Sequence, residues 1–207
     1  MMRGLGCAKD VCERAFEAYL RARKLPYIRV DEAKRTLPAQ GTGGLKSFDF
    51  LVATTPRLIV EVKGRAAGAR ARGGHRSPRL ESWVTDDDVE GLRAWEGALG
   101  EGFEGAFAFV YRLTTQPPDG VYQEVFAWGG AWYGLHMVTV RAYAERMRRR
   151  SAAWRTVDLA PGVLPACSCG LKGWGEGSPR RDGGGSLGVS GGFSRSGAWH
   201  APGFPAV

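Results

Sequence analysis

Apolar residues recur along the first 165 positions with periods that switch repeatedly between helical and strand-like, and then the periodicity stops. Cys12, Phe16, Tyr19 and Leu20 fall on one face of a helix, which predicts a helix over Val11–Arg23 closed by Pro26. A short strand is expected at Tyr27–Val30, and glycines 41, 43 and 44 mark a loop. Phe48–Val52 and Leu58–Val62 read as strands joined by Ala53-Thr54-Thr55-Pro56-Arg57, followed by an arginine- and glycine-rich loop over Gly64–Arg79. Thr85 with Asp88 three residues on is a capping-box signal, so a helix is expected from there to about Leu99. Phe103–Tyr111 is a strongly apolar strand. Tyr122–Trp128 and Trp132–Val138 pair across Gly129-Gly130, a favoured hairpin turn, and a basic helix is expected over Val140–Arg150.

Strands alternating with helices predict an α/β fold, a central mixed sheet flanked by helices. The pattern ends near Pro165. Residues 166–207 are rich in Gly, Ser, Pro and Arg and carry no apolar period, so they cannot bury enough surface to offset chain entropy. The expected organisation is therefore one domain over 1–165 and a disordered tail over 166–207.

The two short strands carry the chemistry. If they form a hairpin across the five-residue connection, Val52 faces Leu58, and counting outward sets Asp49 opposite Glu61. Directly opposed residues share a face, with Cβ atoms roughly 4.5–5.5 Å apart. Two carboxylates so placed repel each other unless a positive charge stands between them. Mg²⁺, or Mn²⁺, suits that position, because such ions are held by one or two carboxylates with water and phosphate oxygens completing the shell. Strand alternation puts Lys63 on the face of Glu61, and Phe48, Phe50, Val60 and Val62 on the other, in the core. An ammonium there can orient an attacking water and stabilise charge on a phosphate in transition. Glu13 lies at the margin of the apolar helix stripe, closer to such a site than Glu17.

Bland alternatives exist for each residue: Asp10 with Glu13 as a capping-box variant, Glu17 paired with Arg21, Glu61 and Lys63 as exposed alternating charges, Asp49 as a turn acid. Together they leave two acids unexplained inside the most apolar short strands of the first half.

Phe-Asp-Phe at 48–50 followed by Glu-Val-Lys at 61–63 resembles the D…ExK core of PD-(D/E)XK nucleases. The stretch from Glu13 to Val30 is similar to the first helix and strand of archaeal Holliday junction resolvases, whose early helical glutamate corresponds to Glu13. The region from about 11 to 160 also resembles an uncharacterised bacterial family known by its HYExAFE motif, read here as Val11-Cys12-Glu13-Arg14-Ala15-Phe16-Glu17. Val11 and Cys12 depart from that motif, and Phe48 stands where the nuclease motif has proline. The resemblance implies a restriction-endonuclease-like core and a metal site of Glu13, Asp49 and Glu61, with Lys63 as the fourth catalytic residue and Glu17 in support.

Charge adds a partner. The chain of 207 residues has a formal net charge of +8, which favours a polyanion. Arg65, Arg70, Arg72, Arg76 and Arg79 follow Lys63 closely and are placed to track phosphates, if they are more than a solvated loop. Arg146, Arg148, Arg149 and Arg150 are better explained as cations at a helix C-terminus. The tryptophans read as packing residues. Four cysteines in two close pairs match no trusted zinc spacing, and no leader or bilayer-spanning run is apparent. The chain is read as cytosolic, with reduced thiols. The expected function is metal-dependent hydrolysis of DNA, branched or otherwise structured, with a second copy of the chain as a further partner and no membrane. The alternatives are a non-catalytic nucleic-acid-binding module on the same fold and an interaction protein whose acids are merely solvated.

Overall fold

The computed structural model describes residues 9–30, 46–66 and 80–171. They form a mixed α/β fold. α1 (Lys9–Ala22) leads into β1 (Tyr27–Arg29), β2 (Phe50–Val52) and the long β3 (Arg57–Ala66). β4 (Val84–Thr85) opens directly into α2 (Asp86–Leu99), followed by β5 (Phe103–Leu113), β6 (Glu124–Trp128) and β7 (Ala131–Thr139). α3 (Val140–Ala144), β8 (Met147–Ser151), β9 (Thr156–Leu159) and α4 (Val163–Cys167) complete the described chain.

Six strands make the central sheet in the order β1-β2-β3-β5-β7-β6. β3 and β5 run parallel, and the remaining neighbours are antiparallel. A smaller sheet, β4-β9-β8, shares no ladder with it and packs into the α2-side core through Val84, Val157 and Leu159. Apolar side chains cover both faces of the central sheet. On one, Phe16, Tyr19 and Leu20 of α1 pack on Phe50, Val60 and Val62. On the other, Leu92 and Trp95 of α2 and Tyr143 of α3 pack with Ile59, Phe107 and Phe109. A strand buried on both sides must be apolar at nearly every position, as β5 is. Gly134 of β7 lies under the Tyr122 ring, where a Cβ would sit 2.3 Å from a ring carbon.

Local signals placed most elements well. The capping box forms as expected: Thr85 Oγ1 accepts from the Asp88 N–H at 3.1 Å, and the Thr85 N–H donates to Asp88 Oδ2 at 2.8 Å. The β6–β7 hairpin turns on Gly129 and Gly130, both at positive φ, with Trp128 opposite Ala131. In the first hairpin Val52 faces Leu58 and Phe50 faces Val60.

Other expectations are corrected. The basic helix over Val140–Arg150 is only five residues long, α3, and the chain then extends as β8. Arg148, Arg149 and Arg150 are therefore strand residues with no helix dipole behind them. Arg148 pairs with Asp158 at 2.9 Å, and Arg149 with Asp86 at 2.6 Å. Pairing with β9 decided the conformation, and a run of arginines carries no period that would announce it.

Phe48 does not share a face with Phe50. It packs edge-on against Trp95, with ring centroids 5.1 Å apart, in the α2 cluster. β2 begins only at Phe50, so strict alternation does not reach back to 48. The loop expected from Gly64 starts later, because β3 runs to Ala66, and Arg70, Arg72, Arg76 and Arg79 lie outside the described residues.

Packing also continues past Pro165. α4 spans that position, the Cys169 N–H donates to the Met137 carbonyl at 3.0 Å, and Leu171 is buried against the α1 cluster. The tail expected from 166 to 207 is otherwise outside the described residues. Cys12, expected to be a reduced thiol, is disulfide-bonded, whereas among the described residues Cys167 and Cys169 are free. Compartment alone takes no account of which sulfurs a fold brings together. No described helix is long and apolar enough to cross a membrane.

Candidate active site

β3 outruns β2. The paired ladder ends at Phe50↔Val60, and beyond it the β3 segment from Glu61 onward has β5 on one side only. Asp49 stands at that step. Its N–H donates to the Val60 carbonyl at 2.9 Å, its carbonyl accepts from the Val30 N–H at 2.9 Å, and its carboxylate Oδ2 accepts from the Val62 N–H at 2.7 Å. The side chain thus takes over the acceptor role that the next backbone carbonyl of β2 would have filled. An acid at this position is buried because it finishes the sheet edge.

Glu61 and Lys63 alternate with the apolar Val60 and Val62 and so point toward α2, away from α1. Glu61 is buried and accepts from Lys63 Nζ at 2.8 Å. Burial pushes the Glu61 carboxyl above the usual carboxylate range. The neighbouring Lys63 ammonium opposes that shift, while the charges of Asp49 and Asp88 add to it.

Asp88 is the acid of the capping box, and it is also part of the site. Its carboxylate is almost fully enclosed, with side-chain exposure of 2%. Oδ2 takes Lys63 Nζ at 2.9 Å, and Oδ1 pairs with Lys46 Nζ. Burial alone would raise this carboxyl. Lys63, Lys46 and the Thr85 N–H together outweigh it and bring it down to about 2. No motif links position 88 to 63. The only available signal was three consecutive acids at a helix start, of which one is needed for the cap.

Glu13 approaches from the α1 side of the sheet, where it pairs with Arg29 at 3.2 Å. Glu17 takes up the local pairing weighed against it. It accepts from Arg21 and from the Tyr27 hydroxyl, both at 2.7 Å, and lies 3.4 Å from Arg29. Asp10 pairs with Arg14 at 3.0 Å instead of capping with Glu13. Asp49, Glu61 and Lys63 therefore gather at the step in the sheet, and Glu13 and Glu17 converge on Arg29 of β1.

Arg65 is not a solvated loop residue. It is buried on β3, its guanidinium 4.1 Å from the Trp83 ring centre, with Nη1 donating to the Gly64 carbonyl at 2.9 Å and Nη2 to that of Trp83. Its Nε is buried and has no hydrogen-bond partner among the described residues.

Asp49 and Glu61 offer hard oxygen donors of the kind that hold Mg²⁺ or Mn²⁺. A cation between them would reverse the repulsion that raises Glu61. Among the described residues no group of three or more His, Cys, Asp or Glu is spaced to hold a metal ion. The protein's share of such a shell would be these two acids, with water and phosphate supplying the rest, which is a common arrangement for Mg²⁺.

No protein-family model matches the chain, and no curated protein does. Among solved structures, the fold is similar to that of Hjc, a Holliday junction resolvase from the archaeal hyperthermophile Archaeoglobus fulgidus. That similarity covers 78% of this chain and 89% of that one, at 16% identity and a TM-score of 0.43.

Proposed function

We propose that the protein is a Mg²⁺- or Mn²⁺-dependent nuclease that hydrolyses DNA phosphodiester bonds on a restriction-endonuclease-like core. The observation that carries this reading is the grouping at the step between β2 and β3. Two buried carboxylates, Asp49 and Glu61, lie close enough that the charge on Asp49 disfavours ionisation of Glu61, and a half-buried ammonium, Lys63, is bonded to Glu61. Such a cluster is costly to build into a core, and a solvated charge pattern does not account for it.

In this reading Asp49 and Glu61 hold the cation, while Glu13 and Glu17, both paired with Arg29, brace the neighbouring strand β1 from the α1 side. When bound, the cation supplies charge stabilisation to the scissile phosphate. Lys63 donates toward the phosphate oxygens or the attacking water and fixes the line of attack. Arg70, Arg72, Arg76 and Arg79 track the DNA backbone, whereas Arg65, stacked on Trp83, shapes the wall of the site. The substrate is branched or otherwise structured DNA and the working form a cytosolic homodimer. The tail beyond the packed domain takes no part in chemistry.

One observation favours a second reading, a nucleic-acid-binding module without catalysis: the described acids do not form a three-ligand set. A cleavage screen separates the two. Plasmid, single-stranded and four-way-junction DNA are incubated with Mg²⁺, Mn²⁺ or EDTA. Cleavage that requires a divalent cation supports the nuclease. Binding without cleavage, indifferent to EDTA, supports the module.

A further inference from the structure

Three separate contacts fasten α2 to the segment that delivers Asp49. Trp95 Nε1 donates to the Lys46 carbonyl at 2.7 Å, the Phe48 ring packs on the Trp95 indole, and Lys46 Nζ pairs with Asp88. Gly91 leaves room for this approach, since a Cβ there would come within 3.0 Å of the Lys46 side chain. The same Asp88 carboxylate grips Lys63 of β3 through its other oxygen. One buried side chain on the first turn of α2 therefore touches both strands of the site, the strand of Glu61 and Lys63 directly and the approach to Asp49 through Lys46.

We propose that Asp88 is a positioning residue of this site, a clamp that holds the Lys63 ammonium beside Glu61 and fixes the Lys46–Asp49 segment against β3. The inference rests on the nuclease reading for its catalytic consequence, but the clamp itself is a property of the fold. Lys63 has a four-carbon stem and would sample many rotamers if Glu61 alone held it. With Asp88 and Glu61 bonded together, 2.9 and 2.8 Å away, the ammonium has one place to be. Its side-chain exposure is only 13%, against 42% for Lys46, so the inner contact is the shielded one.

The test uses the full-length chain and three variants. Asp88→Asn keeps the shape and removes the charge, Asp88→Glu keeps the charge, and Thr85→Ala weakens the capping box without touching Lys63. Side-chain ¹⁵N NMR of lysine-labelled protein reads the clamp without reference to activity. The Lys63 ammonium, identified by its loss in Lys63→Met, gives a slowly exchanging signal in the wild type and in Thr85→Ala. It is lost in Asp88→Asn and returns at least in part in Asp88→Glu. Steady-state cleavage reads the consequence. Asp88→Asn lowers kcat by about 10- to 100-fold, the scale of a misplaced catalytic group, with KM changed less than about threefold. Thr85→Ala lowers the melting temperature but leaves kcat alone.

A Lys63 signal that persists in Asp88→Asn overturns the clamp. So does full kcat in a folded Asp88→Asn variant of an active enzyme, or an equal loss of kcat in Thr85→Ala. A wild-type protein inert on every DNA with either metal instead sinks the nuclease reading, and the NMR comparison still decides whether Asp88 holds Lys63.

Discussion

The carboxylate of Asp49 accepts a hydrogen bond from the backbone N–H of Val62 at 2.7 Å. One residue therefore serves both the sheet and the site, and different substitutions should separate the two roles.

Asp49→Asn keeps an acceptor for that N–H and removes a charge that disfavours the ionised Glu61. The expected outcome is a fold at least as stable as the wild type in the absence of metal, with cleavage abolished. Asp49→Ala leaves the Val62 N–H unpaired in a buried setting and should cost about 1–3 kcal/mol. Urea denaturation of the two variants in EDTA measures the difference.

Asp88 gives the fold a pH dependence with a defined sign. Its folded-state value of about 2 lies below its ordinary 3.8. A depressed carboxylate stabilises the fold above its unfolded value and loses that contribution as pH falls through the folded one. The contribution, about 2 kcal/mol, should be complete above pH ~5 and disappear between about pH 4 and pH 2. In melting curves recorded from pH 7 to pH 2, Asp88→Asn should lie below the wild type at neutral pH, and the gap should narrow across that interval.

Arg65 and the arginines after it should behave differently. Arg65→Ala removes the guanidinium stacked on Trp83 and leaves two carbonyls without their donor, costing on the order of 2 kcal/mol of stability. Replacing Arg70, Arg72, Arg76 and Arg79 with alanine should leave the melting temperature nearly unchanged. It should reduce the salt dependence of DNA affinity by up to about 0.9 in the log–log slope per lost phosphate contact on duplex DNA. Thermal melts and salt titrations by fluorescence anisotropy score both sets.

The domain should end after Leu171. A chain stopped there is expected to melt close to the full-length protein. One stopped at Pro165 loses the Leu171 side chain and the Cys169–Met137 hydrogen bond, and should melt several degrees lower. Differential scanning calorimetry of the two truncations places the boundary.

Much of this architecture was legible because its signals are local. The apolar stripe of Cys12, Phe16, Tyr19 and Leu20 gives α1, Thr85 and Asp88 start α2, and Gly129-Gly130 turns a hairpin. The register of Val52 on Leu58 followed from loop length, and it set Asp49 at the end of the ladder, beside Glu61. What stayed hidden depends on partners distant in sequence. β8 is a strand because β9 returns to pair with it, a relation that Arg148-Arg149-Arg150 does not advertise. Arg65 reads as one of a basic run until Trp83 and Phe109 are seen around it. Asp88 has a complete local explanation in the capping box, and no spacing rule connects position 88 with Lys63.

The central claim is that Asp49 and Glu61 bind a divalent cation, and thermal unfolding with and without Mn²⁺ tests it most directly. A ligand that binds only the folded state raises its melting temperature according to concentration and affinity, whether or not any DNA is cut. The account predicts that Mn²⁺ raises the melting temperature of the wild type and of Lys63→Ala, which keeps both acids, and does so far less in Asp49→Asn. Equal stabilisation of wild type and Asp49→Asn by Mn²⁺ would contradict it.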